Sequence, residues 1–102
     1  MAVKQESKLT LGASNNGSDT DALQLFQTAT KVFIKFASAG TLTPKQGTSE
    51  ASLVAFKVTD GETWASTITA SSTFIVDGPG VLAFGCADID GAITIEIDEV
   101  LV

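Results

Sequence analysis

The sequence predicts an all-β fold, a single antiparallel β-sandwich of jelly-roll or immunoglobulin-like type with about seven to nine short strands. Three observations predict it. Short runs of alternating apolar and polar residues recur along the chain, and that period of two belongs to strands. The runs are separated by turn signals, among them Asp60-Gly61, Asp77-Gly78-Pro79-Gly80 and Asp90-Gly91. Segments with helical spacing are close to absent. At 102 residues the chain suits one domain with a core of modest stability margin.

The elements follow in order. Val3, Gln5, Ser7, Leu9 and Leu11 share one parity, and Lys4, Glu6, Lys8 and Thr10 the other. That half-apolar, half-charged pattern reads as an edge strand over Val3 to Leu11. Gly12 to Asp21 (GASNNGSDTD) reads as a loop, because Asn, Gly, Ser and Asp supply turn conformations. Asp21 would cap a helix over 22–29, but Thr28 and Thr30 weaken it and a strand starting at Leu23 is favoured. Residues 1–22 are thus expected to form an N-terminal strand or arm with its loop, and residues 23–102 the sandwich.

Lys31 to Ala37 carries apolar residues on both parities, as in a strand buried on two sides. Pro44, in Thr41 to Gln46, lacks a ladder donor and belongs at an edge. Ser52 to Thr59 puts Val54, Phe56 and Val58 on one face, and Asp60-Gly61 turns it into a hairpin with Thr63 to Thr69. Ser71-Ser72 turns the chain again. Thr73 to Val76 and Val81 to Ala87 are the next strands. Ala92 to Val102 sends Ile93, Ile95 and Ile97 inward and Thr94, Glu96 and Asp98 outward, with a bulge expected near Asp98-Glu99 so that Val100 and Val102 rejoin the core face.

The residue inventory excludes much chemistry. Histidine, arginine and tyrosine are absent, which removes the commonest metal ligand and general base and the preferred fork for phosphate and carboxylate. Catalysis is not expected, and no cofactor is called for. Lys4, Lys8, Lys31, Lys35, Lys45 and Lys57 face twelve acids, for a net charge of −6. Nucleic acid is an unfavourable partner for such a chain. No apolar run reaches membrane-spanning length, and the opening residues lack the apolar stretch of a secretory signal, so synthesis in a cytoplasm is expected. Residues 1–58 carry +2 and residues 59–102 carry −8. That split would create unlike patches unless the fold interleaves the halves, and interleaving is the expected outcome in a sheet protein.

Individual candidates weaken on inspection. Cys86 has no histidine to pair with and reads as a small buried apolar residue. Asp88-Ile89-Asp90-Gly91 resembles half of a calcium loop, but the later ligands are missing, and a turn using Asp-Gly for positive φ is the better reading. Glu96 and Asp98 form a carboxylate pair on a solvated strand face rather than across a cleft. Trp64 could stack on a sugar, but a single Trp in a sandwich is more often core. Its burial separates a scaffold from a carbohydrate module.

From Gly40 to Ile97 the sequence has a cadence: Gly-Thr-Leu-Thr, Asp-Gly-Glu-Thr-Trp64, Ile68-Thr-Ala-Ser-Ser, Phe74-Ile-Val-Asp-Gly-Pro-Gly80 and Asp90-Gly-Ala-Ile-Thr-Ile95. This resembles small all-β virion proteins of tailed bacteriophages, especially head decoration (cement) proteins and related tail modules. The resemblance implies a non-enzymatic structural protein of the virion, made in the host cytoplasm. Its partner would be the major capsid protein or another virion protein, and its copies would form a homo-oligomer, often around a three-fold axis. It carries no catalytic or metal residues. The N-terminal strand supplies the expected contact residues, Val3, Lys4, Lys8, Leu9 and Leu11, because a polar edge strand can add to a neighbour's sheet. The alternatives are a carbohydrate- or calcium-binding sandwich module and a phage tail or fibre component.

Overall fold

The computed structural model describes residues 8–59 and 62–100. Among these residues are ten strands: β1 Lys8–Leu11, β2 Leu23–Leu25, β3 Ala29–Phe36, β4 Thr41–Gly47, β5 Val54–Ala55, β6 Val58–Thr59, β7 Trp64–Ala65, β8 Ser72–Asp77, β9 Gly80–Ala87 and β10 Ile93–Val100. Two four-stranded sheets, ordered β1-β10-β3-β8 and β2-β9-β4-β5, contribute to one core, and β6 and β7 form a separate hairpin. Every pairing is antiparallel. The β-sandwich expected from alternation is therefore the fold.

The core forms where alternation delivers aliphatic side chains from both sheets. Leu9, Leu11, Val32, Ile34, Phe74, Val76, Ile93 and Ile95 come from one sheet. Leu23, Leu25, Leu42, Leu82, Phe84 and Cys86 come from the other. The basic first half and acidic second half interleave, since lysine-bearing β3 lies beside acid-bearing β10, with Lys31 opposite Asp98.

Several expectations need correction. β3 is buried on one face only. Val32 and Ile34 point inward, while Phe33, 40% exposed, faces out between Lys31 and Lys35. The strand is central in its sheet, but nothing covers the outer face among the described residues. Ser52 to Thr59 is not one strand. A break at Phe56-Lys57 separates β5 from β6, so Val54 ends up 66% exposed while Val58 is buried. The β6–β7 pairing places a hairpin across Asp60-Gly61, although those two residues lie outside the described ones. The chain does not turn at Ser72, which already belongs to β8. The bulge at Asp98-Glu99 is absent: pairing with β3 runs in step from Ile93–Phe36 to Val100–Ala29. Val102 lies outside the described residues. Pro44 lies in β4, second from the edge, where its own carbonyl accepts the Phe56 N–H at 3.1 Å from the short flanking segment. Its missing donor faces that ragged side, so no long ladder is interrupted.

The 12–21 stretch is more ordered than a free loop. After a 3-10 turn at Ala13–Asn15, residues 17–20 run beside β9. Gly17 N–H donates to the Cys86 carbonyl at 2.8 Å, and Thr20 N–H to the Phe84 carbonyl at 2.8 Å. Thr20, 2% exposed, also accepts the Phe84 N–H on Oγ1 at 3.1 Å. Polar turn residues look like a loop in sequence because their backbone partner lies some 65 positions away.

Candidate docking surface

β1 is an edge strand, as its polar parity suggests. Its inward residues are not available to a partner. Leu9 and Leu11 are 8% and 5% exposed and pair opposite Ile95 and Ile93. Of the five expected contact residues, Val3 and Lys4 lie outside the described residues, Leu9 and Leu11 belong to this chain's own core, and Lys8 is on the surface, 3.7 Å from Glu96. Alternation explains the outcome, since an edge strand of a closed sandwich must turn its apolar parity inward. Positions 8–11 of the expected N-terminal strand or arm are thus an integral strand of this chain's own sandwich. What β1 still offers is its outer backbone edge.

That edge borders a groove of about 220 Å³, lined by Lys8 to Leu11 on one side and by Asn15, Asp19, Thr20 and Asp21 on the other. On its wall, Asp19 Oδ1 accepts from Lys45 Nζ at 2.8 Å, a partly exposed pair of modest energetic value.

Trp64 is 68% exposed, against the expectation of core placement. Register gives the reason. Val58 pairs with Ala65 and Thr59 with Trp64, so burying Val58 commits Trp64 and Thr59 to the opposite face of the hairpin. Beside this hairpin lies a cleft of about 280 Å³ between Val58-Thr59, the 63–71 segment and the start of β8. Its walls carry hydroxyls such as Thr67, Thr69 and Ser72, over the buried side chains of Val58, Ile68 and Phe74. Ala65, not Trp64, lines it. Sequence reading missed this cleft because its Ser and Thr residues resemble ordinary strand-surface residues.

Cys86 is buried, 5% exposed, in β9. Burial, together with the Asp19 carboxylate, pushes its thiol up to about 11 from 9.0. The pKa difference alone gives the unfolded chain about a hundred times more thiolate at pH 8. Alkylation by iodoacetamide at that pH is expected to be at least that much slower in the native protein than in urea, as read by mass spectrometry. Comparable rates would place Cys86 at the surface. The linkage has a definite sign. Between pH 9 and 11 the unfolded chain loses the proton that the folded state retains, so this group's contribution to stability falls as pH rises through that window.

The Asp88-to-Gly91 turn is tied to Asn16 by two hydrogen bonds. Asn16 Nδ2 donates to the Ile89 carbonyl at 2.9 Å, and Ile89 N–H donates to Asn16 Oδ1 at 2.8 Å. Ile89 is buried at 2% exposure. The positive φ expected at Asp90-Gly91 falls instead on Asp88, at 56°. Gly91 answers a different demand, because a Cβ there would run into the Ser38 side chain. Among the described residues no three Asp, Glu, Cys or His side chains gather closely enough to hold a metal. EDTA is expected to leave the melting temperature unchanged. A fall of several degrees that calcium restores would contradict this. Glu96 and Asp98 are exposed on the outer face of β10.

Comparison with known protein families, with curated proteins and with solved structures finds no match to this chain. Among the described residues no helix is long and apolar enough to cross a membrane.

Proposed function

We propose that this chain is a non-enzymatic structural protein of a tailed-bacteriophage virion, a head decoration protein that docks on the capsid lattice. The observation that carries the reading is the edge of β1. A four-residue strand closes one sheet, and no described strand covers its outer side. Its outer N–H and C=O groups, unpaired with any described strand, are the kind of edge that a neighbouring strand extends. Repetition over a lattice then multiplies a modest contact into firm attachment. The inventory lacking histidine and arginine, and the thiol of Cys86 held in its protonated form, support a binding role over a catalytic one.

The test is co-sedimentation with head shells of the phage that encodes the chain. The full chain is expected to pellet with the shells. A full chain that stays in the supernatant would end this reading.

Exposed Trp64 favours a second reading, a carbohydrate-binding module in which the indole itself is the stacking platform, on the face of the hairpin turned away from buried Val58. A glycan array separates the two. Specific binding lost in Trp64→Ala supports the sugar module, and lattice binding with a blank array supports decoration.

A further inference from the structure

We propose that the outer face of the β1-β10-β3-β8 sheet is a self-complementary surface that pairs with the same face of a second copy of this chain. The inference does not rest on lattice docking and concerns a different surface from the β1 edge.

Strand register defines the face. Lys8, Glu96, Phe33 and Thr73 lie in one row across the sheet, and Asp98, Lys31 and Ile75 in the next. Lys35 lies opposite Thr94, and Asp77 opposite Ala29. Read strand by strand, the charges alternate: Lys8 on β1, Glu96 and Asp98 on β10, Lys31 and Lys35 on β3, Asp77 on β8. Three lysines and three acids leave the face neutral. The chain as a whole carries −6, so that entire net charge resides elsewhere. Phe33 and Ile75 stand in this neutral field at 40% and 57% exposure, one register step apart on adjacent strands. Mixed charge suits any soluble surface, but two large apolar side chains exposed side by side do not, and they mark this face as one that meets another surface.

Alternation by strand selects the geometry. Consider a two-fold axis in the plane between two stacked sheets, parallel to the strands and midway between β10 and β3. It lays β10 over the partner's β3 and β1 over the partner's β8. Lys31 then comes over the partner's Asp98 twice, once from each copy, and Glu96 falls between the rows of the partner's Lys31 and Lys35, while Lys8 and Asp77 stay two rows apart. An in-plane axis perpendicular to the strands would lay each strand over itself and oppose like charges. Lys31, with its Nζ 6.0 Å from the Phe33 ring centre, has no ion pair within its own chain among the described residues, nor has Asp98. A four-stranded face with strands of up to eight residues spans about 15 by 25 Å. The buried total is then roughly 800 Å², at the weak end of specific interfaces. A reversible dimer is the consequence, not an obligate one.

Sedimentation equilibrium of the full chain, up to about 1 mM, tests the pairing in the weak-affinity range. The wild type is expected to show a concentration-dependent dimer. Asp98→Lys, which sets lysine against Lys31, is expected to raise the dissociation constant at least tenfold. The exchange Lys31→Asp with Asp98→Lys is expected to restore it. Circular dichroism melts check that each variant folds, and Ile75→Lys at an exposed position gives an independent loss of dimer. A wild type monomeric throughout, an Asp98→Lys variant as dimeric as wild type, or an exchange variant that stays monomeric would each overturn the proposal.

Discussion

A chain beginning after Gly12 is expected to be unfolded in water at 25 °C, whatever it binds. Such a truncation removes β1, and with it Leu9 and Leu11 from the shared core. Truncating a buried leucine to alanine costs about 2–5 kcal/mol. Losing two such side chains and a strand ladder approaches the whole stability of a small domain, about 5–15 kcal/mol. It also uncovers β10, whose Ile93 and Ile95 are at 0% exposure beneath the two leucines. Far-UV circular dichroism and urea titration decide the matter. A wild-type midpoint in the truncated chain would mean that β1 is an appendage and not a strand of its own sandwich.

Ile95→Ala is expected to destabilise by about 2–5 kcal/mol, while Thr94→Ala stays within about half a kcal/mol. Ile95 sits between Leu9 and Ile34 across three paired strands and touches no solvent. Thr94 is on the outward parity, flanked by Thr10 and Lys35. Urea midpoints for the two variants report the register directly. A reversed pair of effects would mean that β10 is slipped by one residue and its faces exchanged.

The strands that the sequence reveals most plainly are those whose alternation is regular. β8, β9 and β10 lie within a residue or two of their expected places, because Phe74 and Val76, the 81–87 run and the isoleucines of β10 mark their inner faces. Alternation weakens where partners are short or distant. The 52–69 region reads as two long strands but, among the described residues, pairs as two-residue pieces and one isolated bridge from Ile68 to Leu42, since β5 and the β6–β7 hairpin lie at the margin of the sandwich. Trp64 was unreadable for the same reason: its face depends on which parity Val58 takes. Phe33 looked like core because an aromatic between lysines resembles a two-sided strand. Parity sends it outward, because Val32 and Ile34 take the core face, and no described strand lies over the other face. The groove beside β1 was half visible, through the polar parity of the strand, while its opposite wall at Asp19 to Asp21 depends on long-range pairing with β9.

The adjacency of β1 and β10 makes the sandwich nearly a closed ring of chain. Lys8 lies opposite Glu96, so a polypeptide joined before the first strand or after the last leaves from one end of a single sheet. Two cargoes fused there would travel side by side rather than at opposite poles. A linker from Val100 back to Lys8 would instead make a circular protein, shrinking the conformational space of the unfolded chain without touching a core contact. Such a circle should melt at a higher temperature than the linear form. Reopening it between Asp60 and Gly61 would move both cargo points to the β6–β7 hairpin, beside Trp64, and so exchange which surface of the molecule is left unencumbered.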